Sequence, residues 1–137
     1  MILGIGIDLC EVGRIRRLLE RDRERFVRRV FGEGERDYCD ARRRPAIHYA
    51  ARFAAKEAFL KAVGTGWRLG WRQVEVVRGP SGRPELSLCG PAAELAARRG
   101  IGRIHVSLTH TAETAAAVVV LEGDPTADRG GDRKSVV

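Results

Sequence analysis

Two carboxylates stand where the sequence predicts buried structure. Asp8 ends the apolar stretch MILGIGID, and Glu57 interrupts the helical, alanine-rich stretch ARFAAKEAFLKA. An ionised carboxylate that leaves water needs several kcal/mol of compensation from a partner or a metal ion, or it takes up a proton. Because neither acid has an adjacent cation able to neutralise it in place, we expect a hard divalent cation between them, with a phosphate-bearing substrate beyond it.

Each acid also has a plainer interpretation. Asp8 is placed to cap the helix that follows it, and one carboxylate oxygen can cap while the other binds a metal. Glu57 and Lys61 are four residues apart, so they can form an ordinary exposed ion pair on a helix. Against that pairing, the neighbours of Glu57 are alanines, Phe53 and Leu60, which an exposed helix face does not usually carry.

The element that carries Asp8 is a strand over residues 1–9. Period-two alternation places Gly4, Gly6 and Asp8 on one face and branched apolar side chains on the other. A face made of glycine has no side chains to fill space. We therefore expect either a helix packed very close to it or a ligand that approaches the backbone near Asp8.

The remaining elements follow from periodicity and from glycine and proline positions. Helical patterns cover residues 11–40, with breaks near Arg23 and at residues 31–34, and a long helix runs from Pro45 to about Val63, ended by Gly64. After a loop at residues 67–71 come two strands, a short helix and two further strands: Gln73–Arg78, Glu85–Cys89, Pro91–Arg99, Arg103–Thr109 and Thr114–Leu121.

This order predicts an α+β domain over residues 1–122, with a small, mostly antiparallel sheet packed with one long helix and several short ones. Residues 123–137 are polar and glycine-rich without apolar periodicity, so we expect a disordered polar tail.

Composition narrows the class of protein. The chain is 44% hydrophobic and 31% charged, which is typical of a soluble globular domain. It shows no apolar run of membrane-spanning length and no signal peptide, so we expect a cytoplasmic protein without a membrane partner. Three widely spaced cysteines show no zinc-site spacing and read as reduced thiols: Cys10, Cys39 and Cys89.

The net charge of +7 comes almost entirely from arginine, and eight arginines crowd residues 14–29. Arginine bias can be a compositional habit of a genome. The local cluster instead favours an anionic partner, which can be a nucleic acid, an acidic protein or a phosphorylated small molecule.

The strand at residues 103–109 carries His105, Ser107 and Thr109 on one face. Taken alone, His105 is best interpreted as a structural histidine, but beside a metal site it becomes a candidate phosphate ligand or proton carrier. His110, in the turn, is interpreted as a capping or surface residue. No nucleotide-binding loop, nucleophilic triad or zinc-protease motif is present. Residue spacing alone therefore predicts no more than a metal-assisted phosphate site on a basic domain.

Three blocks together resemble one family: GIGIDLCEVGRI, RFAAKEAFLKAVGTG and HVSLTHTAETAAAVVV. In order and spacing they are similar to the signatures of holo-acyl-carrier-protein synthases, the compact bacterial 4′-phosphopantetheinyl transferases. The resemblance runs from Met1 to about Glu122. It implies transfer of the 4′-phosphopantetheine arm of coenzyme A to a serine of an apo acyl carrier protein, with adenosine 3′,5′-bisphosphate as the other product, in fatty-acid or polyketide synthesis.

The resemblance also implies roles for residues. Asp8 and Glu57 match the family's magnesium ligands, and Mg²⁺ would bridge the coenzyme A diphosphate. Lys61 matches a lysine beside that diphosphate, where it would stabilise the leaving group or relay a proton, and His105 matches a histidine that faces coenzyme A. The acceptor of the serine proton stays open among a metal-bound water, Glu57 and a carboxylate of the carrier.

Further coenzyme A contacts are implied at Arg52, which begins the central block, and at Gly64, near its end. Residues 81–84, Ser-Gly-Arg-Pro, resemble the family's Asn-Gly-Lys-Pro loop, which contacts the nucleotide from a neighbouring subunit. Gly82 and Pro84 keep that pattern, while Ser81 and Arg83 depart from it. The family is typically a homotrimer with active sites between subunits.

The resemblance places carrier docking at Arg14, Arg25 and Phe26. Acyl carrier proteins are strongly acidic, so an arginine-rich helix would attract them. Two other classes of protein share some of these features. A nucleic-acid-binding module fits the basic charge but leaves both carboxylates unexplained and has few aromatic residues for stacking. A carrier-binding protein without catalysis has no need of an intact carboxylate pair.

Overall fold

The computed structural model describes residues 1–64 and 70–123. The predicted tail therefore lies outside the described residues except for Gly123, as does most of the loop predicted at residues 67–71. In chain order the elements are β1 (Ile2–Glu11), α1 (Val12–Val30), α2 (Glu33–Asp40), α3 (Pro45–Val63), a 3₁₀ turn (Trp71–Gln73), β2 (Val74–Arg78), β3 (Pro84–Leu88), α4 (Gly90–Arg98), β4 (Ile101–His110) and β5 (Thr114–Gly123).

Helix α3 is the central element and confirms the bounds that the sequence predicts. Pro45 occupies its first turn, where the missing N–H costs no hydrogen bond. Gly64 ends it at a φ of 80°, a left-handed conformation that favours glycine, and donates its N–H to the carbonyl of Leu60. Both ends of the helix that carries Glu57 and Lys61 are thus fixed by local chemistry.

Helix α1 is bent, as the pattern predicts. Asp22 has a non-helical backbone, with φ −155° and ψ 70°, next to the break expected near Arg23. Apolar side chains of this helix are buried in the core, among them Ile15, Val27 and Val30. The arginine-rich side therefore faces away from the core.

The strands form two antiparallel sheets, where the sequence predicts a single small sheet. One is three-stranded with order β1-β5-β4, and the other is the β2-β3 hairpin. The antiparallel character is confirmed. The hairpin counts as a second sheet: β3 and β4 pack near each other, but no ladder of hydrogen bonds joins them.

The two faces of the three-stranded sheet differ. One face packs on α3, and its core includes Ala117, Val119 and Leu121 of β5; we call it the α3 face. The other, the open face, presents the β1 side chains Leu3, Ile5, Ile7 and Leu9 together with His105 of β4. Ile5, Ile7 and Leu9 are between 64% and 69% exposed. Among the described residues no helix is both long and apolar enough to cross a membrane.

Candidate active site

The glycine face of β1 meets a helix, which is one of the two outcomes that the sequence allows. The backbone of α3 runs so close to Gly4 and Gly6 that an added Cβ at either position would lie within 2.2 Å of a helix carbonyl oxygen. This contact joins the strand that ends in Asp8 to the helix that carries Glu57 and Lys61. Three predicted site residues are thereby brought to one place.

Asp8 has a cation beside it, contrary to the expectation that neither acid does. Lys61 Nζ donates to Asp8 Oδ1 at 2.9 Å and to the backbone oxygen of Ile7 at 3.2 Å. The Asp8 side chain is 14% exposed, while that of Lys61 is 56% exposed. The partner was missed because it lies 53 residues away, on another element. The helix pair Glu57–Lys61 is not the contact that forms; Lys61 reaches across to the strand instead.

Glu57 is half-buried next to this ion pair. Burial raises the pKa of its carboxyl above the ordinary value, and the nearby charge of Asp8 raises it further, against smaller opposing effects of Lys61 and Arg14. The Asp8–Lys61 hydrogen bond in turn raises the pKa of Lys61. Because the charge of Asp8 disfavours ionisation of Glu57, added positive charge beside Glu57 would be stabilising.

The donor set fits Mg²⁺. This ion is usually bound through one or two carboxylates and completes its shell with water and substrate phosphate oxygens. Asp8 and Glu57 supply two carboxylates, and nowhere in the described part of the chain do three or more His, Cys, Asp or Glu side chains converge as a metal-binding group. If Mg²⁺ is bound here, Asp8 and Glu57 are the residues that would hold it, with water and phosphate oxygens as its other ligands.

A second group of cations surrounds Tyr38. The guanidinium carbons of Arg52, Arg42 and Arg78 lie 4.0, 4.1 and 5.3 Å from the centre of its ring. Arg52 is 5% exposed, and within the described residues its Nε atom is buried with no hydrogen-bond partner. No salt bridge in the described ranges neutralises these three arginines.

Two histidines extend this group. The ring of His48 is 5.9 Å from that of Tyr38 and 5.9 Å from that of His110. We refer to Tyr38, Arg42, Arg52, Arg78, His48 and His110 as the Tyr38 cluster. A concentration of cations with an unsatisfied buried donor is an anion-binding environment. His110 is exposed, in agreement with its interpretation as a capping or surface residue, although the sequence gives no sign of its place beside His48.

His105 lies elsewhere. Its register partner is Val120, which pairs with Ile5 on the open face, whereas Asp8 pairs with Ala117 on the α3 face. His105 therefore does not join Asp8 and Glu57 within one chain. Its Nε2 is 2.8 Å from Glu122 Oε1, and this hydrogen bond lowers the pKa of the Glu122 carboxyl.

A cavity of about 550 Å³ lies between β3 and β4; we call it the hairpin cavity. Ser81, Arg83, Pro84 and His105 line it together, and Gly82, at the tip of the β2-β3 hairpin, turns the chain with a φ of 84°. Four predicted coenzyme A contacts are thus gathered at a place separate from the carboxylate pair.

The residues predicted to dock the carrier lie along α1. The guanidinium carbon of Arg14 is 5.9 Å from the ring centre of Phe53, close enough to Glu57 that its charge affects that carboxyl. Arg25 is exposed, and Phe26 is partly buried with its ring edge against Phe31. Their docking role stays a prediction, and Arg14 is the one of the three beside the carboxylate site.

One buried ion pair escaped the sequence analysis. Lys56 and Glu35, with side chains 1% and 0% exposed, are joined at 2.9 Å. Lys56 Nζ also donates to the backbone oxygens of Val74 and Trp71, and Glu35 accepts the N–H groups of Gly32 and Val76. A lysine inside an alanine-rich helix, next to Glu57, was the available signal. Its partner was not visible, because it comes from another helix.

A strand-and-helix contact gathers two acids and a lysine, and a second group of charged side chains surrounds Tyr38. Such an arrangement is compatible with a phosphorylated substrate. The family comparison is specific. The family model described as the 4′-phosphopantetheinyl transferase superfamily matches residues 4–119, and the chain belongs to that family.

Individual relatives agree with this assignment. The chain is 53% identical over 126 residues to a holo-[acyl-carrier-protein] synthase of Anaeromyxobacter sp. (strain K), which covers 90% of this chain and 98% of the relative. It is similar to the crystal structure of the holo-[acyl-carrier-protein] synthase of Neisseria meningitidis, with a TM-score of 0.82 at 35% identity, over 89% of this chain and 99% of that one. A Bacillus anthracis synthase in complex with CoA (3′,5′-ADP) gives 0.74 at 36% identity, over 90% and 99%.

Proposed function

We propose that this chain transfers the 4′-phosphopantetheine group of coenzyme A to a serine of apo acyl carrier protein, which yields the holo carrier and adenosine 3′,5′-bisphosphate. The observation that carries the proposal is the meeting of Asp8, Glu57 and Lys61 at the β1–α3 contact, in a chain that belongs to the transferase family. The reaction breaks the bond between phosphorus and the diphosphate bridging oxygen and forms one to the serine oxygen.

The chain's own residues divide this work. Asp8 and Glu57 would hold Mg²⁺, which when bound would offset the negative charge of the diphosphate. Lys61 is exposed while it is held at Asp8, so its ammonium is accessible to a phosphate and remains protonated because its pKa is raised. A positive group beside the departing phosphate stabilises the charge that develops there as the bond breaks.

The Tyr38 cluster supplies a second phosphate subsite. Coenzyme A carries a diphosphate and a separate 3′-phosphate, so a protein that binds it needs cations at two places. We propose that Arg52, with Arg42 and Arg78, takes the 3′-phosphate, in keeping with the implied contact of Arg52 with substrate phosphate. The buried and unpartnered Nε of Arg52 supports this, because an anion would satisfy it.

We propose a homotrimer with active sites between subunits. Contiguous exposed apolar surface of the kind on the open face marks an interaction site in most proteins. A ring of three joins two different surfaces of each chain. Here the two surfaces would be the carboxylate site of one chain and the hairpin cavity of the next, whose Arg83 and His105 would complete that site. Gly64, just past Lys61, borders the same site from its own chain.

The carrier approaches along α1 in this proposal. Arg14 lies between that helix and the carboxylate pair, and Arg25 and Phe26 extend the surface. An acidic carrier is attracted by exposed arginines, which raises its rate of encounter. We place the reaction in the cytoplasm, the compartment that supplies coenzyme A and the carrier.

Mass spectrometry of the carrier tests the function. Purified protein is incubated with coenzyme A, apo carrier and either Mg²⁺ or excess chelator. We expect the carrier mass to rise by one phosphopantetheine with Mg²⁺ and to stay unchanged with chelator. A carrier whose acceptor serine is replaced by alanine is the matched control. An unchanged mass with fatty-acid and polyketide carriers alike would refute the proposed function, and transfer that persists in chelator would refute the metal.

A further inference from the structure

Of the glycines that the structure describes, Gly6 is the one at which an added Cβ would come nearest to another backbone atom. A Cβ built there would lie 2.0 Å from the carbonyl oxygen of Ala58 and 2.7 Å from the amide nitrogen of Ala62. Both are backbone atoms, so no change of side-chain rotamer can make room. The strand reaches this position only because residue 6 has no side chain.

The residues flanking this contact are those of the proposed chemistry. Glu57 precedes Ala58, Lys61 precedes Ala62, and Asp8 lies two positions beyond Gly6 on the same face of β1. Two strand residues span about 6.6 Å, so a displacement at Gly6 is passed directly to Asp8. The Lys61–Asp8 hydrogen bond of 2.9 Å is formed across this contact.

We propose that Gly6 is a positioning residue, whose backbone contact with α3 sets the separation of the Asp8 and Glu57 carboxylates for one shared ion. This inference rests on the proposed function. Relief of a 2.0 Å approach to the 3.4 Å at which ordinary van der Waals contact begins requires about 1.4 Å of movement. Mg²⁺ tolerates little departure from oxygen distances of about 2.0–2.1 Å in an octahedral shell, and a catalytic group misplaced by about 1 Å loses roughly a hundredfold in rate.

Gly4 provides a matched comparison. Its Cβ would lie 2.2 Å from the carbonyl oxygen of Ala62, so an alanine there disturbs the same packing to a similar degree. It is four residues from Asp8, however, which is about 13 Å along the strand. A loss caused by packing alone should affect both positions equally, whereas a loss of carboxylate spacing should be larger at Gly6. Gly13 is the control for the substitution itself, because its Cβ would meet only the end of the Arg17 side chain at 3.5 Å.

The experiment compares the wild type with Gly6→Ala, Gly4→Ala and Gly13→Ala. Binding of Mg²⁺ to the protein with coenzyme A is measured by calorimetry, and melting temperature and Mg²⁺-dependent transfer are measured beside it. We expect Gly6→Ala to weaken Mg²⁺ binding about tenfold or more, Gly4→Ala to lose similar thermal stability with a several-fold smaller effect on Mg²⁺, and Gly13→Ala to match the wild type.

Wild-type Mg²⁺ affinity in a folded Gly6→Ala protein would overturn the inference, as would equal losses of affinity in Gly4→Ala and Gly6→Ala that follow their loss of stability. If Gly6→Ala does not fold, the Glu57→Asp variant tests instead whether Mg²⁺ binding depends on the spacing of the two carboxylates. Strand and helix are already in contact and cannot approach to recover the lost methylene, so we expect about tenfold weaker Mg²⁺ binding, and an unchanged affinity contradicts the proposal. A wild type without Mg²⁺-dependent transfer would refute the proposed function itself and is distinguished by that measurement.

Discussion

On the α3 face of the β1-β5-β4 sheet, glycine and alanine bring a strand and a helix into contact, and Asp8, Lys61 and Glu57 meet there within one chain. On the open face, Ile5, Ile7 and Leu9 stand in solvent, and His105 lies with Arg83 at a cavity that no acid pair joins. Within the described residues, this strand thus carries one proposed half-site on one side and an exposed apolar surface on the other. The alternation of side chains along β1 is what separates the two.

The difference between the two faces indicates which residues act within one chain and which act between neighbouring chains. Substitutions on the α3 face should affect the activity of each chain separately, and their effect should not depend on protein concentration. Changes on the open face should act through a neighbouring chain, if the proposed trimer forms. Concentration dependence and subunit mixing are therefore the measurements that separate the two faces.

The largest effect is expected on the α3 face. Asp8→Asn and Glu57→Gln each remove a proposed Mg²⁺ ligand while keeping the side-chain shape, and we expect transfer to fall about a hundredfold or more. The melting temperature of Glu57→Gln should not fall, because burial and Asp8 already disfavour the ionised carboxylate. Carrier mass shifts and thermal melting measure the two outcomes. Full transfer by either variant would remove that residue from the ligand set.

Subunit mixing tests whether the two faces meet between chains. Asp8→Asn damages the first half-site and Arg83→Glu the second, so each homomer should be poorly active. In an equimolar co-expressed mixture, about a quarter of sites would draw both halves from intact surfaces, with a corresponding recovery of activity. Activity no higher than the mean of the two variants would show that each site is complete within one chain. Ile7→Asp, which places a charge on the open face, should prevent the recovery.

Much of the fold is predictable from local pattern. Alternation along β1 predicts its two faces, and Pro45 and Gly64 predict both ends of α3, because each depends on neighbours within a few residues. The pairing of Lys61 with Asp8 and that of Lys56 with Glu35 depend on which elements pack together, so the sequence alone did not reveal them. The same holds for His105: the sequence leaves open whether it is structural or lies beside the carboxylate pair, and the register places it on the other face.

The Tyr38 cluster offers a test inside one chain. Arg52→Ala should raise the KM for coenzyme A about tenfold, which corresponds to about 1.4 kcal/mol, with a smaller change in kcat. Dephospho-coenzyme A, which lacks the 3′-phosphate, should bind the wild type and the variant almost equally. Arg98→Ala, at the end of α4, is the matched control for loss of an arginine. An equal loss of affinity for both nucleotides would place the 3′-phosphate outside the cluster.

Carrier docking should show a smaller and salt-dependent effect. Arg14→Glu reverses a charge beside the site and should raise the KM for the carrier several-fold at low salt, with little change in the KM for coenzyme A. Arg16→Glu is the matched control, since two residues along a helix turn a side chain to the other side. Steady-state rates at two salt concentrations measure the difference. Equal effects of the two variants would indicate general charge attraction in place of a docking surface on α1.

The smallest expected effect is a pH dependence within the Tyr38 cluster. Burial lowers the pKa of His48 below its ordinary value of 6.5, and the charges of Arg52, His110 and Arg42 lower it further. Below pH 6.5 the unfolded chain then binds more protons at this residue than the folded one. The contribution of His48 to the free energy of unfolding is therefore fully present above pH 6.5. It is lost as the pH falls through the folded pKa of His48.

NMR titration of the imidazole and melting temperatures across this range measure both quantities. His48→Gln should remove the part of the pH dependence of stability that comes from His48. His105→Gln, on the open face, should leave that part unchanged. Coenzyme A should shift the His48 pKa upward, because a phosphate in the cluster stabilises the imidazolium. If saturating coenzyme A left the pKa of His48 unchanged, the 3′-phosphate would bind away from the Tyr38 cluster. The α3 face would then contact only the diphosphate.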